Sequence, residues 1–295
     1  MSNLIYKFDI PYFKQKSKMK KLIIVLFLLL STNINSQELS VLWKVEKDSV
    51  ESYIIGTNHL FGSNYISKDT IIINLMKNSK LIITENNESA NKIFEKRSIF
   101  NYIDKLSEKE KNKLNECLGS KTNIEKLTLK ELLGQTERYW GRYSCLNEIE
   151  QKDTVLMDDY IKYFAKENNI KIQGIEETSE TLKSVEKFTY PSFNDNKLLT
   201  ILKDKLYKFS NNIPNTNCNL ENAYRNKKVI YNFNDNLKIP ILYERNKEWI
   251  KSLPILLEKN KNVFIAVGIG HLNFSTGIIE LLKKEGYILT PINLK

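Results

Sequence analysis

Short runs of apolar residues, many of them β-branched, recur along the chain and predict the strands of a sheet. They span residues 41–45, 52–55, 81–84, 170–175, 263–267 and 287–294. Polar residues at 46–49 separate the first two runs, so we expect these two to form a hairpin.

Apolar residues at helical spacing occupy much of the remaining chain, most clearly at 69–78, 98–166, 197–209, 241–250 and 276–284. No long strand candidate falls within 98–166, which predicts a helical insertion of about that extent. Residues 190–220 are rich in Asn and Pro, which is typical of a connection or a lid. The pattern predicts an α/β fold, with a central mixed, largely parallel sheet flanked by helices, in a single domain over 38–295.

The only two histidines of the chain lie in matching contexts, each after an apolar run and within a Gly-x-x-His-Leu sequence. The glycines are Gly56 and Gly268, and the histidines are His59 and His271. A glycine lets the backbone turn sharply as it leaves a strand. Both imidazoles would then lie at the carboxyl edge of the sheet, where α/β proteins bind ligands. The alternative is two core histidines in similar turns.

Two carboxylates occupy comparable positions, since Glu85 and Glu176 each follow a predicted strand. The alternative for Glu85 is a surface residue that opens a loop. Asp158 or Asp159 could also face a site, although acidic residues early in a helix are favoured by the helix dipole alone.

The N-terminal residues predict export. Lys18, Lys20 and Lys21 precede the apolar residues 22–30, and small and polar residues follow, as in a signal peptide that ends near residue 36. The apolar run is shorter than the about 20 residues of a membrane-spanning helix. An uncleaved N-terminal anchor is the alternative. Because Met19 directly precedes two lysines, residues 1–18 are interpreted as an upstream extension.

The net charge and the cysteine content limit the kinds of partner and the disulfides that we expect. Removal of residues 1–36, which hold six lysines and one aspartate, lowers the net charge from +10 to about +5. The remaining excess forms no basic block with interleaved aromatic residues, so we expect no nucleic-acid partner. Cys117, Cys145 and Cys218 are compatible with one disulfide and one free thiol, without indicating which two pair.

The ordered motifs resemble the TraB/GumN family over residues 41–294, and by extension the TIKI metalloproteases and the erythromycin-esterase-like superfamily. The resemblance rests on both Gly-x-x-His motifs, the glutamates that follow two predicted strands, and one further segment, Glu244-Arg245-Asn246-x-x-Trp249. The chain departs from the family pattern at Asn58, before the first histidine, and in its Asn- and Lys-rich middle region.

The resemblance implies an exported, metal-dependent hydrolase of the peptidase kind. His59, Glu85 and His271 would hold a divalent metal ion, with Mn, Co and Zn as the candidates, and two imidazoles with one carboxylate suit such an ion. Glu176 would orient a ligand or act as general base. Arg245 would hold a substrate carboxylate or stabilise oxyanion charge, unless it only pairs with Glu244 or Glu248 on a surface helix.

The substrate would be a peptide or a small molecule, and no stable membrane anchor would remain after signal cleavage. Two alternatives stay open. A metal-free, esterase-type hydrolase would use one imidazole as general base. A protein that binds a peptide signal without cleaving it would need neither metal nor base.

Overall fold

The computed structural model describes residues 39–119 and 123–294. The predicted signal peptide and upstream extension lie outside these residues. Six strands form one sheet in the order β4-β3-β5-β2-β1-β6. The strands are β1 (Leu42–Lys47), β2 (Val50–Thr57), β3 (Leu81–Thr84), β4 (Lys171–Gly174), β5 (Val263–Gly268) and β6 (Ile288–Ile292).

Thirteen α-helices surround the sheet in the described part of the chain. They are α1 (Asn64–Ser67), α2 (Thr70–Lys77), α3 (Asn91–Glu95), α4 (Glu108–Leu118), α5 (Leu129–Cys145), α6 (Glu148–Lys152), α7 (Met157–Glu167), α8 (Thr178–Phe188), α9 (Asp195–Ser210), α10 (Asn219–Arg225), α11 (Pro240–Trp249), α12 (Leu253–Asn260) and α13 (Ile278–Lys284). Short 3-10 helices span Asn101–Lys105, Ile124–Lys126 and Ile269–Leu272.

The sheet is mixed and mostly parallel, which confirms the predicted fold class. Strands β4, β3, β5 and β2 run parallel to one another, and β1 pairs antiparallel with both β2 and β6. Every residue of β3 and β5 is buried. Parallel strands covered on both faces need such continuous apolar sequences rather than alternating ones. For this reason residues 81–84 and 263–267 have a strong apolar signal.

Two hydrophobic cores stabilise the described residues. The larger surrounds the sheet and includes Met157, Ile161 and Ala165 of α7, so this helix packs with the sheet although it falls inside the predicted insertion. The second core joins α4, α5 and α9. Its α9 residues are Leu198, Leu202, Leu206 and Phe209. Most of the segment interpreted as a connection or lid is therefore helix that completes a core.

The helices of the middle region begin at strong sequence signals. Ser107 with Glu110, Thr128 with Glu131, and Asn147 with Glu150 form capping boxes at the starts of α4, α5 and α6. In each, the side chain of the first residue accepts a hydrogen bond from the backbone N–H of the glutamate, and the glutamate carboxylate accepts one from the backbone N–H of the first residue. Two of the unpaired donors of a helix start are thereby satisfied.

A disulfide joins Cys145, at the end of α5, to Cys218, directly before α10, and Cys117 carries a free thiol. The cysteines thus pair as one of the combinations that the sequence left open. Among the described residues, no helix has the length and apolar character needed to span a bilayer.

Candidate functional site

The parallel strands bring the predicted site residues to one edge of the sheet. Thr57 of β2 is paired with Gly268 of β5, and Thr84 of β3 is paired with both Ala266 and Gly174. The four strands therefore end almost level. The residues that follow them are His59, Glu85, Glu176 and His271. The side chains of Glu85, Glu176 and His271 share one network with Arg245 of α11, and His59 bonds to Asp158 beside it.

Gly268 lies where these side chains converge. A Cβ on this residue would stand 3.0 Å from Glu85 Oε1, 3.5 Å from His59 Nε2 and 3.7 Å from His271 Cδ2. Both imidazoles and the Glu85 carboxylate therefore face the same small space. Gly56 has a different role, because a Cβ there would meet Ile269 Cδ1 at 2.2 Å. The first motif glycine allows the second motif to pack against it.

The hydrogen bonds of Asn246 fix the tautomer of His271. Its Nδ2 donates to the backbone carbonyls of His271 and Thr276, so its Oδ1 must be the atom that faces His271 Nδ1, at 2.6 Å. Nδ1 therefore carries a proton and donates it. The lone pair of the neutral ring lies on Nε2, which accepts from Arg245 Nη1 at 3.0 Å. Burial lowers the pKa of His271 to about 3, against the raising effect of Glu85, so the ring is neutral.

His59 is oriented in the same way by a carboxylate. Its Nδ1 lies 2.6 Å from Asp158 Oδ2, at the start of α7, and its side chain is 41 % exposed. Desolvation lowers the pKa of His59, but the charge and hydrogen bond of Asp158 raise it more, so it lies above 6.5. In both histidines, Nδ1 is held by an acceptor and Nε2 points into the site.

Arg245 is the centre of the buried network. Its Nη2 donates to Glu85 Oε2 and Glu176 Oε1, both at 2.6 Å, and its Nε donates to Glu176 Oε1 at 3.0 Å. The Arg245 guanidinium also packs over the Trp249 ring, 4.7 Å from its centroid. The alternative in which Arg245 pairs with Glu244 or Glu248 on a surface helix is wrong, because the residue is only 8 % exposed and pairs across the sheet edge.

The Glu85 carboxylate is ionised. Burial alone would raise its pKa, but the Arg245 guanidinium, His59 and a hydrogen bond from Gly268 N–H, at 2.7 Å, hold it well below the usual range. Hydrogen bonds to a carboxylate and a neighbouring guanidinium both favour its charged form.

Both oxygens of Glu176 accept hydrogen bonds. Oε1 accepts from Thr181 and Arg245, and Oε2 accepts from Trp249 Nε1 at 2.8 Å. These contacts anchor Arg245 and Trp249. The role of Glu176 as general base stays a prediction, and it would require one of these donors to give way to a water molecule.

The donor types at this edge, two imidazoles and a carboxylate, are ones that bind divalent metal ions in proteins. Ligating histidines usually donate their second ring N–H to an outer acceptor, as His59 does to Asp158 and His271 does to Asn246. The space at Gly268 faces both rings and Glu85. As placed, no three His, Cys, Asp or Glu side chains of the described residues are close enough to hold an ion together. His271 Nε2 has one lone pair, so binding a metal would require Arg245 Nη1 to leave it.

A cleft of about 690 Å³ opens in front of His59, between the loop after β3 and helices α5, α7 and α8. A second cavity, of about 330 Å³, lies against His271 and Arg245. His59, Glu85 and Arg138 line both, so the two spaces meet at these residues. Asp159 is exposed and lines the larger cleft.

Four contributors to the site have no role that the sequence assigns. Asp158 and Asp159 both lie early in a predicted helix, where the helix dipole favours acidic residues, so the sequence does not distinguish them. Asn246 and Trp249 belonged to the family-like segment, whose helical spacing places the pair Arg245–Trp249 on one face. Arg138 of α5 carried no signal, because a charged residue on an amphipathic helix is normally a solvated one.

Comparison with protein-family models identifies the TraB/PrgY/gumN family over residues 41–291, nearly all of the described part of the chain. Comparisons with curated proteins and with solved structures gave no significant match. The chain belongs to the TraB/PrgY/gumN family.

Proposed function

We propose that this protein is an exported, metal-dependent hydrolase of peptide-like substrates, with His59, Glu85 and His271 as the metal ligands. The observation that carries the proposal is the matched orientation of the two imidazoles. Each has Nδ1 held by an acceptor, His59 Nε2 faces the space at Gly268, and His271 Nε2 lies beside it, 3.8 Å from the ionised Glu85 carboxylate. A bound divalent ion would supply Lewis acidity and make a water molecule more acidic.

The protein's own groups keep these donors in a reactive state. Asp158 and Asn246 accept hydrogen bonds from the Nδ1–H groups, which favours the tautomer in which each Nε2 keeps its lone pair. Arg245 stays protonated in all conditions of interest. Glu176 holds the Arg245 guanidinium through Nε and Nη2. Nη1 points one of its two N–H groups at His271 and would offer the second to negative charge that develops on a substrate oxygen.

The shape of the cleft favours an extended substrate. Two cavities meet at His59 and Glu85, so a chain that occupies both would cross the reactive groups at its middle. The side-chain amides of Asn86, Asn87 and Gln135 line the larger cleft. Amides both donate and accept hydrogen bonds, as binding a peptide backbone requires.

Two observations support export. The N-terminal sequence has the basic and apolar segments of a signal peptide. The Cys145–Cys218 disulfide is of the kind that persists in oxidising compartments outside the cytosol.

The metal-free alternative is favoured by one specific observation. Arg245 already occupies the lone pair of His271 and pairs with Glu85, so it supplies positive charge where a metal would. In that mechanism His59, with its pKa raised by Asp158, would take a proton from the attacking water at Nε2.

The test is to measure metal content, melting temperature with added Mn²⁺, Co²⁺ or Zn²⁺, and cleavage of a peptide library by mass spectrometry. An ion at about 100 times its dissociation constant should raise the melting temperature by about 5–10 °C. The shift and the cleavage should both be lost in His59→Ala/His271→Ala. Asp159→Asn, which changes an exposed carboxylate of the same cleft, should keep both.

Cleavage without any metal dependence would replace the proposal with the metal-free mechanism. Absence of cleavage, together with retained peptide binding in the double variant, would instead identify a binding protein. Absence of a metal shift and of cleavage in the wild-type protein would refute hydrolysis by either route.

A further inference from the structure

Arg138 differs from every other arginine in the described part of the chain. Arg97, Arg142, Arg225 and Arg245 each donate at least three hydrogen bonds to named acceptors. Within residues 39–119 and 123–294, Arg138 has no hydrogen bond and no ion pair at contact distance. A guanidinium has five donors, so this side chain has all of its hydrogen-bonding capacity available.

The guanidinium is also partly removed from water. Burial lowers the pKa of Arg138, whereas Asp158, Glu85 and Asp159 raise it from beyond contact distance. Asp158 is already bonded to His59, and Glu85 is already paired with Arg245. A desolvated cation without a partner is unfavourable, and an anion that reaches it restores the lost interactions.

Its position is the one a substrate would meet. Arg138 lines both cavities at their junction with His59 and Glu85. One helical turn earlier on α5, Gly134 lines the same cleft, and a Cβ there would have no atom within 4 Å. A glycine inside a helix is less stable than alanine by roughly 0.5–1 kcal/mol. The wall beside Arg138 is thus kept open at some expense in helix stability.

We infer that Arg138 is a carboxylate-binding group of the substrate cleft, and that the substrates are peptides with a carboxylate near the bond facing His59. This deepens the proposed function by naming the substrate class. A planar guanidinium pairs with a carboxylate through two parallel hydrogen bonds. The carboxylate could be the peptide's own C-terminus or an Asp or Glu side chain, which present the same group.

The test is the dissociation constant of three defined tetrapeptides, measured by titration with the purified protein. The peptides are acetyl-tetra-alanine with a free C-terminus, its C-terminal amide, and an amidated version with Asp at the second position. We expect wild-type protein to bind at least one carboxylate peptide about 10–100 times more tightly than the neutral amide. Whether the first or the third binds distinguishes a C-terminal from a side-chain carboxylate.

Arg138→Gln should abolish this preference and leave the melting temperature unchanged or higher, since it removes a cation that has no partner in the described residues. Lys130→Gln is the matched control, because Lys130 lies in the same cleft on the same helix but is bonded to Glu186. It should keep the preference. Equal binding of all three peptides, including no measurable binding of any, would overturn the inference, as would a preference that survives Arg138→Gln.

The measurement does not depend on turnover. A carboxylate preference without cleavage would contradict the proposed hydrolase and leave the role of Arg138 intact. Cleavage of peptides without such a preference would contradict only the role of Arg138.

Discussion

Replacement of Gly268 with alanine should leave the protein folded and remove its function, whereas the same change at Gly56 should destabilise the fold. The two glycines occupy equivalent positions in matching motifs. Their surroundings differ, because a Cβ at Gly268 enters the space between the site residues and a Cβ at Gly56 enters the core. The pair of variants therefore separates a functional requirement for glycine from a packing requirement.

The magnitudes follow from the nearest atoms. Gly268 has φ −53° and ψ 137°, which alanine adopts freely. Its closest contact would be Glu85 Oε1 at 3.0 Å. Restriction of the unfolded chain by alanine gains about 0.4–1 kcal/mol, so the free energy of unfolding should change by less than about 1 kcal/mol. At Gly56 the new methyl would lie 2.2 Å from Ile269 Cδ1 and 3.1 Å from Ile269 Cα, an overpacking that costs about 1–3 kcal/mol.

Urea denaturation measures the stability difference, and ion-dependent melting together with library cleavage measures the function. Gly268→Ala should lower turnover by roughly 10-fold or more, since the methyl fills the space that faces the reacting groups and moves Glu85 Oε1 by a few tenths of an ångström. Gly56→Ala/Ile269→Val, which removes the clashing Cδ1, should recover part of the lost stability. Greater destabilisation by Gly268→Ala than by Gly56→Ala, or unchanged metal response and turnover in Gly268→Ala, would refute this reasoning.

Two further predictions concern the histidines. Asp158→Asn should lower the pKa of His59, because the substitution removes the carboxylate that raises this pKa. NMR titration would measure the change, with only two imidazoles to assign. An unchanged pKa would contradict the pairing of His59 with Asp158. His271 has a folded pKa of about 3 against 6.5 when unfolded, so it takes up a proton on unfolding in acid. Stability should fall as the pH drops from 6.5 towards 3, and His271→Gln should weaken this dependence in urea denaturation; an identical pH profile would contradict the assignment.

The sequence predicts the site residues that directly follow strands. A residue that directly follows a parallel strand has its position set by that strand, and buried parallel strands have a strong apolar signal. His59, Glu85, Glu176 and His271 are of this kind. Their convergence needs only the rule that parallel strands end at one edge.

The remaining contributors depend on contacts between distant segments. Asp158 lies 99 residues from His59 along the chain, and nothing local distinguishes it from Asp159. The partners of Arg245 depend on how α11 packs against the sheet edge, since the sequence neighbours Glu244 and Glu248 could pair with it equally well. Arg138 has an unusual environment only because α5 packs beside the cleft, and its own sequence context is that of an ordinary helix surface.

The order of the strands also constrains how the chain can fold. Strand β5 lies between β3 and β2, yet it is the fifth of the six strands to be synthesised. Until residue 268 has emerged, β2 and β3 lack their common neighbour and expose strand edges that favour aggregation. Pairing across about 200 residues is slow, because it closes a long loop first. A nascent chain is therefore kept open until nearly all of it is available, which suits the export proposed above, since an exported chain would cross a membrane before it folds.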